Sequence, residues 1–224
     1  MMDNKIIYIT YATGEKYLEK AKNVLPTMKE YFHETILYKK EDIHEKFYDK
    51  NKKIFNNERG AGYWLWKPYF ILKTLEGVEE NDIVFYLDLG DALHYDIKDF
   101  IKEKIQINDG FLLVKNFHSH LQWTKNDCFK LMDCNENKYL NSTQLEAGCC
   151  AFSKNDTTLK FVKEWLEFCQ NYDVISSESK SPNVPYFKEH RYDQSILTNL
   201  AIKYDIKTVS IYDVSKYVSY NEFF

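Results

Sequence analysis

The run Ile83-Val84-Phe85-Tyr86-Leu87 constrains this chain more than any other stretch. Five consecutive apolar residues, rich in β-branched and aromatic types, leave no polar face. They read as a central strand buried on both sides, as in a parallel sheet covered by helices. The residues that follow, Asp88-Leu89-Gly90-Asp91, place two carboxylates at the carboxyl end of that strand. Acids held against a low-dielectric core repel each other unless a cation neutralises them. A hard divalent ion such as Mn²⁺ or Mg²⁺ takes oxygen ligands and bridges phosphates. Gly90 would let the backbone turn and approach a ligand closely. A turn or helix-cap role for Asp88 or Asp91 accounts for the same residues.

Around this strand, β-rich and helical patterns alternate. Strands are expected at Lys5–Thr10, Glu34–Tyr38, Gly110–Lys115, Gly148–Ser153 and Lys207–Ile211. Helices are expected at Glu15–Met28, broken by Pro26, at Pro68–Leu75, Lys125–Met132 and Asp193–Lys203, and from an Asn155 or Asp156 cap to about Gln170. Asp42–Asn57 reads as helix then loop, and Tyr172–Lys188, with Pro182 and Pro185, as a mobile loop. The alternation implies an α/β domain with a Rossmann-like, mainly parallel central sheet flanked by helices. No linker splits residues 1–224, so a single domain is expected.

Composition narrows the function. With 30 Lys and Arg against 34 Asp and Glu, the net charge of −4 leaves no basic stripe of the kind that binds nucleic acid. No stretch approaches the roughly 20 apolar residues that span a bilayer. The apolar run Ile6–Ile9 is too short for a signal-peptide core, so a cytoplasmic protein is expected. Five cysteines without a CxxC read as buried free thiols. The 18 Tyr and 15 Phe suit sugar binding, since an aromatic ring packs on apolar C–H faces; drift in composition explains them equally.

Four further blocks carry candidate chemistry. Arg59-Gly60-Ala61-Gly62-Tyr63-Trp64-Leu65-Trp66-Lys67-Pro68 places Arg59 and Lys67 beside glycines just ahead of a helix start, which suits an anion. Trp64 and Trp66 could pack on a base or a sugar, or simply anchor a core. Gln144-Leu145-Glu146 offers Glu146 as a general base before a small-residue strand. Glu189-His190-Arg191-Tyr192-Asp193-Gln194 crowds polar groups at a helix start, where Asp193 caps the helix or does chemistry and His190 could join a metal. His118 and His120 lack a third ligand at zinc spacing and read as a solvated loop.

Taken in order, Gly60–Leu75, Asp82–Asp91, Trp123–Met132, Gln144–Asn155 and His190–Leu200 resemble a group of GT-A-fold glycosyltransferases found in large DNA viruses and bacterial polysaccharide clusters. The resemblance implies a GT-A (nucleotide-diphospho-sugar transferase) fold, with a nucleotide-binding part at about 1–115 and an acceptor-binding part at about 116–224. It implies a hexosyl- or deoxyhexosyl-transferase that moves sugar from a nucleotide-sugar donor, most often a UDP-sugar, to a glycan or other hydroxyl acceptor, with Mn²⁺ or Mg²⁺. The family's DxD element falls on Asp88-Leu89-Gly90, so Gly90 stands where the second aspartate is usual and Asp91 follows one place later. Thr10, Tyr11 and Ala12 match the loop that holds base and ribose. Glu146, Asp193 and Gln194 match segments lining the donor sugar and acceptor. An inverting reaction would make one base, Glu146 or Asp193, essential; a retaining one would lean on leaving-group assistance. The Gly90 departure also suits a non-catalytic nucleotide-sugar or carbohydrate-binding module derived from a transferase. An aspartate-nucleophile phosphatase fits poorly, because its two acids lie closer together than Asp88 and Asp91.

Overall fold

The structure is a computed structural model, and it describes residues 4–220. Its centre is a six-stranded sheet. The strands are β1 (Ile6–Tyr11), β2 (Glu34–Tyr38), β3 (Ile83–Leu87), β5 (Phe111–Ser119), β6 (Thr143–Ser153) and β7 (Val209–Ser210); β4 (Ala92–Leu93) and β8 (Val218–Ser219) form a separate antiparallel ribbon. The order across the large sheet is β2-β1-β3-β6-β5-β7. Only β6 runs against its neighbours β3 and β5; the pairs β1–β2, β1–β3 and β5–β7 are parallel. The carboxyl ends of β1, β3, β5 and β7 and the amino end of β6 therefore share one edge.

Five helices of ten residues or more pack on the sheet: α1 (Gly14–Tyr31), α2 (Trp66–Gly77), α3 (Lys98–Ile107), α4 (Asp156–Cys169) and α5 (Tyr192–Lys203). The period-two geometry of a strand sorts the core into two faces. Ile7, Ile9, Val84 and Tyr86 meet residues of α2, α4 and α5, such as Ile71, Trp165 and Leu197. Ile6, Tyr8, Ile83 and Phe85 meet Met28 of α1 and Ile101 and Ile105 of α3. Burying each such side chain contributes roughly 1.5–3 kcal/mol. β3 is buried at every position, as its unbroken apolar run requires.

Several boundaries differ from the sequence expectation. Pro26 does not end α1, because it faces solvent while Met28 beyond it is buried, and packing outweighs one lost backbone bond. β6 begins at Thr143 instead of Gly148, which puts Glu146 inside the strand. β5 continues to Ser119. Asp42–Asn57 holds two short helices, Glu45–Lys50 and Lys52–Phe55. The segment read as a mobile loop is tied down. The Lys125 ammonium, fully buried, donates to Ser176 O and Glu178 O, and Asp127 accepts from the Lys180 and Ser181 amides. His120 is buried instead of solvated, bonded to Asn199 and Thr124, and burial lowers its pKa to about 4. All five cysteines are buried free thiols. No helix among the described residues is long and apolar enough to cross a membrane.

Candidate functional site

A cavity of about 680 Å³ opens at the shared edge, where β1 and β3 deliver their carboxyl ends. That size suits a small-molecule ligand, and the edge is where open α/β sheets bind ligands. Asp88 is among the residues that line the cavity. The Asp88 amide donates to Gly148 O and the Asp91 amide to Asp88 O, so the turn after β3 is closed against β6. Asp88 Oδ1 accepts from the Tyr86 hydroxyl and faces the Lys67 ammonium at 3.6 Å. A β-carbon built on Gly148 would sit 2.8 Å from Asp88 Oδ2 and 3.1 Å from Glu146 Oε1. Two carboxylates from adjacent strands thus converge over a space that only the missing side chain of Gly148 leaves open.

This pair is backed by buried charge. Lys67, 3% exposed, stands between Asp88 Oδ1 and Asp193 Oδ2, the latter at 3.5 Å. Burial works against the ammonium, but the Asp193 and Asp88 charges raise its pKa above the ordinary lysine value. Glu146 is pushed up to about 7, first by burial and then by the Asp88 charge, with Lys67 opposing. Asp193 also rises to about 7; burial is the main cause, and the Lys67 ammonium pulls the other way. Asp88 and Glu146 thus give the cavity an acidic floor, with Lys67 and Asp193 buried behind it.

Cationic side chains also line the cavity. Lys16 and Lys20, one turn apart on α1, line the cavity, and Lys20 Nζ donates to Gly90 O at 2.8 Å. Arg59 and Arg191 line it too; Glu189 bridges them, 2.8 Å from Arg59 Nη2 and 3.9 Å from Arg191 Nε. Tyr11 stacks on Trp66 with ring centroids 4.0 Å apart, and both rings line the wall.

The segment before α2 has an unusual backbone. Gly60, Ala61, Gly62, Tyr63 and Trp64 have φ of 58, 50, 101, 53 and 60°, five left-handed residues in succession. Each non-glycine residue costs roughly 1–2 kcal/mol there. Tertiary contacts hold the turn: Trp66 Nε1 donates to Gly60 O, the Tyr63 hydroxyl donates to Asn57 Oδ1, and the Tyr63 ring stacks on Tyr192 at 5.0 Å. Its outer surface presents Gly60, Ala61 and Trp64 to the cavity.

Of the residues singled out by sequence, Tyr11, Arg59, Trp66, Asp88, Gly90, Asp91, Glu146 and Gln194 reach the cavity wall. Others do not. Thr10 is buried and its hydroxyl donates to Leu87 O, while Ala12 packs inside against Leu89; neither lines the cavity. Lys67 points inward to two carboxylates instead of outward to an anion. Asp193 is buried behind the wall, with Oδ2 turned to Lys67. His190 is not placed to bind metal: Nδ1 accepts from the Lys125 amide, which leaves Nε2 to donate to Val174 O. Gln194 accepts from the Ala147 amide and donates to Gln144, so it braces α5 on β6. Sequence reasoning passed over Lys16 and Lys20 as wall residues, read Asn116 and His118 as part of a solvated loop, and gave Arg191 no role within its candidate block; all five line the cavity. The i, i+4 spacing of Lys16 and Lys20 behind a strand-ending loop was an available signal.

Among the described residues no three His, Cys, Asp or Glu side chains are grouped to hold a metal. No protein-family model matches the sequence, and no curated protein is a significant sequence match. Solved structures do resemble the fold. Mouse xyloside xylosyltransferase 1, apo form, is similar with a TM-score of 0.52 at 10% identity, over 94% of this chain and 85% of that one. Core-mannan synthase A from Aspergillus fumigatus, in a Mn/GDP form, is similar with a TM-score of 0.52 at 8% identity, over 95% of this chain and 74% of that one. The chain thus has an α/β fold with a mixed, mostly parallel sheet flanked by helices, shared with GT-A glycosyltransferases.

Proposed function

We propose that this chain is a glycosyltransferase that takes a nucleoside diphosphate sugar, with UDP the expected carrier, and passes the sugar to a hydroxyl of a glycan acceptor. The observation that carries this reading is the convergence of Asp88 and Glu146 over Gly148, in a cavity that Lys16, Lys20, Arg59 and Arg191 also line. Breaking a glycosyl–phosphate bond builds negative charge on the departing diphosphate and positive charge on the sugar. Lys16, Lys20, Arg59 and Arg191 supply positive charge for the first. The acidic floor stabilises the second. Glu146 is placed to take the proton of the attacking hydroxyl. Tyr11 and Trp66, stacked on each other and mostly buried, line the β1 end of the cavity, where the base would contact them.

A divalent cation fits this donor set in a restricted way. Asp88 Oδ2 faces the space over Gly148, and Asp91 closes the same turn. An ion of the Mg²⁺ type can be held by one or two carboxylates together with phosphate oxygens and water. Asp88 and Asp91 are the side chains that would hold Mn²⁺ or Mg²⁺ here, and the bound ion would neutralise diphosphate charge.

The test is thermal stability with UDP, GDP and their sugars, with and without Mn²⁺, followed by assay of donor turnover. A ligand at a hundred times its Kd stabilises by about 2.7 kcal/mol, which raises the melting point of a domain this size by roughly 5–10 °C. Asp88→Ala should remove that shift while the apo melting point stays within a few degrees. Glu146→Gln should keep the shift and lose turnover by about 100-fold or more. Absence of a shift with every nucleotide would sink the reading. Binding with no turnover of any donor would instead identify a binding module.

A further inference from the structure

The order of strands along the ligand edge carries a statement about the acceptor; it rests on the transferase reading above. Moving across that edge, β1 contributes Tyr11, β3 Asp88, β6 Glu146, β5 Asn116 and β7 Ser210. The main cavity reaches from β1 to β5, where Asn116 and His118 belong to its wall. A second hollow of about 290 Å³ starts at the same Asn116 and continues between Lys115–Phe117 of β5 and Thr208–Tyr212 at the last strand. Its floor is apolar, with Val209 and Ile211 buried, and two large rings stand exposed on its rim, Phe117 at 55% and Tyr212 at 71%. The pairing of β5 with β6 shifts register between Lys115 and Ser119. Such an irregularity re-aims side chains and is frequent beside active sites.

We propose that this groove is the acceptor subsite, and that the acceptor is an oligosaccharide chain instead of a single sugar. A donor with its base at β1 and its diphosphate at β3 leaves its sugar at β6, so the acceptor must arrive from β5 and β7. Strands are spaced 4.7–4.9 Å apart, so the groove at β7 lies about 10 Å from the reacting position at β6. A monosaccharide with its hydroxyl at Glu146 does not reach Tyr212; a chain of two or three sugars does. Exposed aromatic rings with Thr208 and Ser210 beside them match the alternation of C–H faces and hydroxyls on a pyranose.

The experiment is a printed array of defined mono- to hexasaccharides probed with the whole chain in the presence of UDP, using wild type, Phe117→Ala, Tyr212→Ala and Phe117→Trp. The expected result is retention on a subset of oligosaccharides but not on their component monosaccharides. Each alanine variant should weaken retention about 10-fold, and Phe117→Trp should restore it. The UDP-induced melting shift should persist in all four proteins, which reports that fold and donor site are intact. Unchanged retention in the alanine variants overturns the proposal. So does equal retention of monosaccharides, or no retention of any glycan by a wild type that still responds to UDP. A wild type whose melting point ignores every nucleotide, UDP and GDP included, overturns the transferase reading itself.

Discussion

Two glycine-bearing turns meet at the cavity, and they are built on opposite principles. The Asp88-Leu89-Gly90-Asp91 turn follows a fully buried strand, has no left-handed residue, and concentrates charge. The Gly60–Trp64 turn has five left-handed residues in succession and concentrates backbone strain, held by hydrogen bonds and stacked rings. Sequence reasoning sets both beside a ligand, Gly90 for close approach of the backbone and Gly60 and Gly62 next to cations that suit an anion. The structure separates them. Strain is stored where aromatic contacts over-determine the backbone, and charge is stored where a buried ammonium balances it. Substitutions that add a single methyl group, or remove a single charge, therefore have different consequences in the two regions.

The largest effect is expected at Gly148, which belongs to the charged region without being acidic. Gly148→Ala puts a methyl 2.8 Å from Asp88 Oδ2 and 3.1 Å from Glu146 Oε1. Both contacts are side-chain ends that can swing away, so the fold should survive. Donor turnover should fall about 100-fold, the scale of losing one positioned acid–base group, with the melting point nearly unchanged. Steady-state kinetics beside a melting curve checks this; full activity would mean that the two carboxylates need not converge.

The strained region should respond in the reverse sense. Gly62 has φ of +101°, and a β-carbon there would meet Phe55 Cδ1 at 2.8 Å and the Phe55 α-carbon at 3.0 Å. A backbone atom cannot move aside cheaply. Gly62→Ala combines overpacking with a disfavoured φ and should cost about 3 kcal/mol. Urea unfolding measures it, and a cost below about 1 kcal/mol would show that the left-handed turn is not fixed as described.

Charge should make the strand-end region sensitive to pH. Asp193 has a native pKa raised from 3.8 to about 7, chiefly by burial. Such an acid holds its proton longer when folded, so its contribution to stability is full below about pH 4. It is lost as pH rises through about 7. Asp193→Asn removes that dependence: the melting point of the variant relative to wild type should climb between pH 4 and pH 7.5. A difference independent of pH would mean that Lys67 keeps Asp193 ionised throughout, and that the buried pair is a settled salt bridge.

These contrasts also explain what could be read from sequence. The β3 strand and Asp88 were legible because an unbroken apolar run followed by acids has few other readings. The start of β6 was not, because Glu146 points into a cavity and interrupts the apolar pattern that marked Gly148–Ser153. Lys67 looked like an anion ligand because its partner Asp193 arrives from α5, far along the chain. The left-handed run could not be read from Ala61, Tyr63 and Trp64, whose own preferences oppose it. It exists because Tyr192 and Asn57 hold it from outside. Local pattern predicts elements that local preference stabilises, and it fails where distant contacts override that preference.

Gly90 offers the smallest effect and the sharpest separation of the two turns. It stands where the second acid of a DxD element would be, and sequence suggests that the backbone needs a glycine there. Its φ lies outside the left-handed region, and a β-carbon on it would meet nothing within 4 Å. Its carbonyl is the group in use, accepting from Lys20, and alanine keeps a carbonyl. Gly90→Ala should therefore change unfolding free energy by no more than about 0.5 kcal/mol, the range of an unconstrained surface position. A loss of 2 kcal/mol or more in urea unfolding would place Gly90 with Gly62, as a glycine demanded by the backbone. The strand-end turn would then be strained as well as charged.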